Sequence, residues 1–131
     1  MSNYDMYKEQ ILDLYKHPLN KGSIAHHTHQ AHKENPSCGD GFTIQFLVKD
    51  GIIVDAKFAG SGCAISTAGA SLITEKVKGM SIHTALGISS DEMLALLGIP
   101  VSAARLKCAL LALEITQDAL TPSSTSPKVS Q

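Results

Sequence analysis

The chain has 131 residues, with 11 basic against 12 acidic side chains and 44% hydrophobic residues. That length favours one domain with a real core, and the balanced charge gives no electrostatic case for nucleic acid or an anionic membrane. Three cysteines are too few, and odd in number, for a disulfide framework.

Taken in chain order, Tyr4, Tyr7, Ile11, Leu14 and Tyr15 fall at helical spacing, which predicts an amphipathic helix over 4–16 that ends near His17-Pro18. The opening stretch MSNYDMYKEQ carries no signal-like apolar run, and no segment approaches the length of a membrane span. A reducing cytoplasm is therefore the expected home. Residues 17–37 read as loop or weakly extended chain. They hold His26, His27, His29 and His32, whose bland reading is adventitious metal pick-up on a flexible loop.

The clearest strand is FTIQFLVK, where Phe42, Ile44, Phe46 and Val48 alternate with Thr43, Gln45, Leu47 and Lys49. Asp50-Gly51 marks a reversal, and Ile52, Val54, Ala56 and Phe58 supply the apolar set of a second strand. A two-residue loop would set Phe46 against Asp55. A three-residue loop, Lys49-Asp50-Gly51, pairs Val48 with Ile52 and Phe42 with Phe58, so both apolar sets share one face. The longer loop is preferred, with Gly51 left-handed in a bulge. Extended further, that ladder sets Asp40 opposite Gly60 and Cys38 opposite Gly62, about 5 Å apart, and so brings Cys38 and Asp40 beside Cys63.

GSGCAIS breaks the second strand and opens a helix on which Ile65, Ala68, Leu72, Ile73 and Val77 recur, with Gly79 stopping the run. SIHTALG predicts a short helix, with His83 on its surface. SSDEMLALLG predicts another, with serine caps and early acids. A long apolar-rich helix is expected from Val101 to about Leu120, and TPSSTSPKVSQ (121–131) as a disordered tail.

The cysteines fall where their chemistry can be used. Cys38 sits on the bend NPSCGD, and a bend gives a thiol no packing role. Asp40, two positions on, could simply close an Asx turn, but beside thiols it becomes an oxygen ligand. Cys63 falls in or just before a helical first turn, where unpaired amides and the positive dipole end favour a thiolate. Cys108 shares a helix face with Ala104, Leu111, Ala112 and Ile115, so its bland reading is a buried core cysteine. Arg105 and Lys107 stand close by in sequence. Three thiols and a carboxylate suit a tetrahedral zinc, or an iron–sulfur cluster with one weak ligand. The spacing is unlike a compact zinc finger, so the fold would have to assemble the site.

The segments YKHPLNKG, NPSCGD, DGIIVDAKFAGSGCAIS and ARLKCALLAL, in that order from about Tyr7 to Ile115, resemble the SufU/IscU family of iron–sulfur assembly scaffolds, which includes the N-terminal domain of NifU. Arg105-Leu106-Lys107-Cys108 is similar to the SufU pattern RxKC, where IscU members usually have His before the cysteine. The LPPVK chaperone segment of IscU is absent, and so is the extra segment that many SufU proteins carry between the second and third cysteines. The resemblance implies an α+β fold, a small antiparallel sheet of about three strands packed against several helices, over residues 1–120. It implies Cys38, Asp40, Cys63 and Cys108 as ligands of zinc or of a nascent [2Fe–2S] cluster. It implies a scaffold and sulfur acceptor rather than an enzyme. A cysteine desulfurase of the SufS or IscS type would supply persulfide to Cys38, the SufU-like acceptor, or Cys108, the IscU-like one, for delivery to recipient apoproteins. A homo-oligomer bridged by a cluster stays open.

Two other function classes compete. A stand-alone thiol enzyme would need His27 or His29 to reach Cys38 or Cys63 as a base. A purely structural zinc module would bind metal without passing on sulfur.

Overall fold

The computed structural model describes residues 3–36 and 39–122. In chain order these form α1 (Asn3–Lys16), β1 (His29–Asn35), β2 (Asp40–Lys49), β3 (Ile52–Ser61), α2 (Ala64–Val77), α3 (Ile82–Leu86), α4 (Ser90–Leu97), a 3-10 turn (Ala103–Arg105) and α5 (Leu106–Leu120). The three strands make one antiparallel sheet in the order β1-β2-β3. This is the expected α+β class. The expected tail beyond residue 122 lies outside the described residues.

The core follows from the alternation of β2. Phe42, Ile44 and Phe46 point inward with Ile53, Ala56 and Phe58 of β3. The rings of Phe42 and Phe58 meet edge to face, with centroids 5.7 Å apart. α2 and α5 pack on each other and cover this face, α5 against β1 and β2 and α2 against β3. Their inward stripes, Ala70, Ile73 and Val77 with Leu111, Ala112 and Ile115, complete the main cluster. α1 lies on the outer side of α2, where Ile11 and Leu14 meet Ala68, Leu97 and Ala109. Both cysteine-bearing helices are therefore held from two sides.

The helix ends obey the expected capping chemistry. Ser81 and Ser89 accept the amides of Thr84 and Glu92, and Glu92 closes a capping box back onto Ser89. Gly98 ends α4 in the left-handed conformation.

Three expectations need correction. The first is the β2–β3 register. The turn has two central residues, Asp50 (φ 54°) and Gly51 (φ 77°), both left-handed as a type I′ turn requires, and Lys49 pairs with Ile52. The conflict that argued against a two-residue loop is resolved further along. Val48 pairs with Ile53, but Leu47 pairs with Asp55, so Val54 is an extra residue in a bulge. The bulge flips the inward parity of β3. Ile53 is buried with Ala56 and Phe58, while Ile52 and Val54 are 39% and 46% exposed. Phe42 then pairs with Gly60 and Ile44 with Phe58.

The second correction is β1, a regular strand within the run 17–37 that the sequence predicts as loop or only weakly extended chain. HQAHKEN is an edge strand, with only Asn35 buried outright. Polar and charged side chains suit such an edge, because they discourage pairing with other chains. The preceding segment covers part of the opposite edge: Phe58 N–H donates to the Asn20 carbonyl at 2.9 Å, and Gly22 N–H to the Phe58 carbonyl at 2.8 Å. The third correction concerns the last helix. Ser102 is extended (ψ 160°) at the N-cap of the 3-10 turn, so regular helix starts only at Leu106.

Candidate metal centre

Three chain segments bring their termini to one end of the sheet. Asp40 opens β2, Cys63 caps α2, and Cys108 lies in the first turn of α5. One carboxylate oxygen of Asp40, Cys63 Sγ and Cys108 Sγ all lie within 4.8 Å of one another. Among the described residues, no other group of three His, Cys, Asp or Glu side chains converges in this way. Cys38 lies outside the described residues.

The burial pattern of β2 explains how a carboxylate comes to be here. Asp40, Phe42, Ile44 and Phe46 are the inward residues of one alternating stripe, and the stripe ends in Asp40, 2% exposed. Its Oδ1 accepts the Cys63 amide at 2.9 Å. That contact does what the rejected register was expected to do: it ties Asp40 to the cysteine. Its Oδ2 is buried and has no hydrogen-bond partner. An unsatisfied buried carboxylate oxygen costs about 1–3 kcal/mol or more. A cation shared with two adjacent sulfurs removes that cost. Soft thiolates with one oxygen are the donor set that zinc or a cluster iron accepts, so the residues present fit the expected metal.

Cys63 is half-buried and has two structural tasks. Its backbone is extended (φ −73°, ψ 174°), and its Sγ accepts the Ser66 amide at 3.4 Å as the N-cap of α2. Gly62 makes this possible. A Cβ there would overlap Ser66 Oγ and stand 2.7 Å from Asp40 Oδ1 and 3.0 Å from the Phe42 ring. A side chain at this position would have to push the Ser66 hydroxyl and the Asp40 carboxylate aside.

Cys108 is 1% exposed, as its apolar helix face suggested, yet it also faces the site. Buried core residue and ligand candidate are not exclusive here. Asn35, the last residue of β1, is buried opposite Asp40 and directs its amide Nδ2 towards Cys108 Sγ at 4.0 Å.

An open cleft of about 270 Å³ adjoins the site between the end of β1 and the start of α5. Lys33, Asn35, Pro36, Lys107, Leu111 and Glu114 line it. Lys33 and Glu114 form an ion pair at 3.0 Å, and the hydrogen bond and charge of Glu114 raise the Lys33 ammonium above its ordinary pKa. Lys107 thus shares an opening with Asn35, the residue whose amide faces Cys108.

His27 and His29 lie away from the site, whereas His32 lines an open cleft that also reaches Asp40. His29 pairs with Phe46, at the opposite end of β2 from Asp40, roughly 20 Å away along the strand. Its ring meets Thr28 Oγ1 at 2.8 Å, and His27 meets the Ile24 carbonyl at 3.2 Å. His32 bridges Thr43 and Glu34 on the exposed side of β1. The pairing of His27 or His29 with Cys63 that a thiol enzyme would need is not formed.

Sequence reasoning missed Asn35 and Ser66. Asn35 is the first residue of the quoted NPSCGD motif, and Ser66 stands three positions after Cys63, the spacing at which an N-cap side chain meets a backbone amide. Both signals were available.

Two helix starts and a strand start thus bring Asp40, Cys63 and Cys108 together at one end of the sheet, as a donor group that could hold a metal ion. The chain belongs to the NifU-like N-terminal domain family, whose profile matches residues 6–127. It is 38% identical over 123 residues to the zinc-dependent sulfurtransferase SufU of Bacillus subtilis strain 168, a match covering 81% of this chain and 83% of that protein. It is 36% identical over 110 residues to the iron–sulfur cluster assembly scaffold protein IscU of Escherichia coli K12, covering 81% of this chain and 84% of that protein. A crystal structure from Fervidobacterium islandicum AW-1, described as a candidate iron–sulfur cluster assembly scaffold protein for the SUF system, superposes with a TM-score of 0.75 at 28% identity, covering 92% of this chain and all of that one. The resemblance carried by the four sequence segments is thereby established at the level of the family.

Proposed function

We propose that this chain is an iron–sulfur cluster assembly protein that holds zinc or a nascent [2Fe–2S] cluster and accepts sulfur from a cysteine desulfurase. One observation supports this above the rest: in a NifU-like chain, the buried, unpartnered Oδ2 of Asp40 lies with the sulfurs of Cys63 and Cys108. Cys38, two residues before Asp40, is the fourth ligand in this reading. The metal, when bound, supplies a Lewis-acid centre that keeps the thiols as thiolates.

The chain's residues do the rest. Asp40 would be the one oxygen donor among sulfurs, and a hard carboxylate would be the more exchangeable ligand of the set. Cys63, committed to the α2 cap, stays in place. Cys38 and Cys108 are the candidate sulfur acceptors. In the transfer, an acceptor thiolate attacks the terminal sulfur of the donor's persulfide. A new S–S bond forms on the acceptor, the donor's S–S bond breaks, and the donor leaves as thiolate, so no external oxidant or reductant is needed. Two open clefts lie beside the site, one lined by Lys33 and Lys107 and one that includes Asp40, and in this reading they are the approaches for the partner's loop. The expected setting is the cytoplasm. No helix among the described residues is long and apolar enough to cross a membrane.

The test is sulfur acceptance. The metal-loaded chain is mixed with a SufS-type desulfurase and free cysteine, then trapped with an alkylating reagent and weighed intact. One added sulfur per chain is expected, lost when Cys38 and Cys108 are both replaced by Ala. No added sulfur, with the desulfurase active towards a chemical reductant, would contradict the proposal.

A further inference from the structure

Ser66 belongs to no ligand set, yet it touches one. The residue is 1% exposed, one turn into α2. Its backbone N–H donates to Cys63 Sγ at 3.4 Å. Its Oγ lies 3.5 Å from the same sulfur, with the thiol as donor, and its own O–H donates to the Cys63 carbonyl at 3.1 Å. That carbonyl has a second partner, the Thr67 amide at 3.0 Å. The hydroxyl also closes over Gly62 from one side while Asp40 Oδ1 closes from another. It is a buried polar group packed into the site, not a surface serine.

A serine hydroxyl has one proton and turns freely about its C–O bond. As a metal ligand, the Cys63 sulfur carries no hydrogen and can only accept. The Ser66 hydrogen can then turn from the carbonyl to the sulfur, and the carbonyl keeps the Thr67 amide, so nothing buried is left unpaired. We infer that Ser66 is a positioning residue for the metal centre: its amide and its hydroxyl together give the Cys63 thiolate two hydrogen-bond donors, which fix that sulfur as the stationary ligand. The inference rests on the metal-binding reading above. Cys108 is held differently: it faces the amide of Asn35 at the longer distance of 4.0 Å.

Hydrogen bonds to a ligand sulfur stabilise its electrons and move sulfur-to-metal charge transfer to higher energy. Replacing a group that orients a metal ligand typically costs about 10–100-fold in affinity. The experiment loads the full chain with cobalt(II) in place of zinc and records the near-ultraviolet sulfur-to-cobalt band and the affinity, for wild type, Ser66→Ala and Ser66→Thr. In Ser66→Ala the amide donor remains, so the helix cap persists. The band is expected at longer wavelength, and the dissociation constant about 10-fold higher. Ser66→Thr keeps the hydroxyl and is expected to match wild type in both. Far-ultraviolet circular dichroism checks that each variant folds. A Ser66→Ala band and affinity equal to wild type would overturn the inference and leave the metal centre standing. So would a folded Ser66→Thr that behaves as Ser66→Ala does. A wild type without any sulfur-to-cobalt band would overturn both.

Discussion

The two ends of the β2–β3 hairpin are built on opposite principles. At the turn, Asp50 and Gly51 reverse the chain, and the Val54 bulge corrects the parity of β3. The residues left outside, Ile52 and Val54, are apolar and simply exposed. Nothing polar is stranded there. At the other end Asp40 is buried with an unpartnered oxygen, a Cβ at Gly62 would crowd the Ser66 hydroxyl and the Asp40 carboxylate, and a thiol replaces the usual Ser or Asp at a helix N-cap. At the turn end only the left-handed backbone of Asp50 and Gly51 constrains the residue choice. The site end holds local costs that a bound cation would relieve.

That contrast can be broken first at the glycines. Of Gly62 and Gly51, Gly62→Ala is expected to have the larger effect on stability. Its Cβ must displace Ser66 Oγ, Asp40 Oδ1 and the Phe42 ring, and overpacking of this kind costs about 1–3 kcal/mol. A chemical-denaturation midpoint well below wild type, with weakened metal binding, is the expected result. Gly51→Ala at the turn is expected to be milder. No atom lies within 4 Å of the added Cβ, so only the left-handed φ of 77° opposes it, at about 1 kcal/mol, with metal binding unchanged. Equal loss of metal binding in both variants would erase the distinction between the two ends.

The smallest expected effect is a pH dependence away from the site. Burial lowers the pKa of His29 from 6.5. The folded state therefore favours neutral imidazole, and the unfolded chain binds the proton more readily. The resulting stability is complete above pH 6.5 and is lost as pH falls through the lower folded value. In metal-free protein, His29→Gln is expected to flatten the decline of Tm between pH 7 and 5, with little change at pH 8. An unaltered slope would mean that His29 contributes nothing to acid sensitivity.

The candidate site was more legible than the sheet that holds it. Cys63 and Asp40 could be read because their residue types are poorly explained by a helix start or a bend alone. Cys108 was ambiguous because it is both buried and a ligand candidate, and one helix face cannot reveal which segment packs over it. β1 was missed because an edge strand of His, Gln, Lys and Glu has no apolar alternation to announce it. The hairpin register was misjudged for a physical reason as well. Unbroken alternation was assumed in β3, whereas one bulged residue let the favourable Asp-Gly turn and the inward Phe58 coexist. Asp40 still reached Cys63, through a side chain-to-amide bond rather than through ladder pairing.

The most direct measurement is the metal and acid-labile sulfide content of the chain, purified without oxygen, beside that of Cys108→Ala. About one zinc per wild-type chain, or iron and sulfide in equal amounts, is expected, with either lost in the variant because Cys108 supplies one of the converging sulfurs. A wild type free of metal and sulfide, or a Cys108→Ala chain that retains its full complement, would contradict the site.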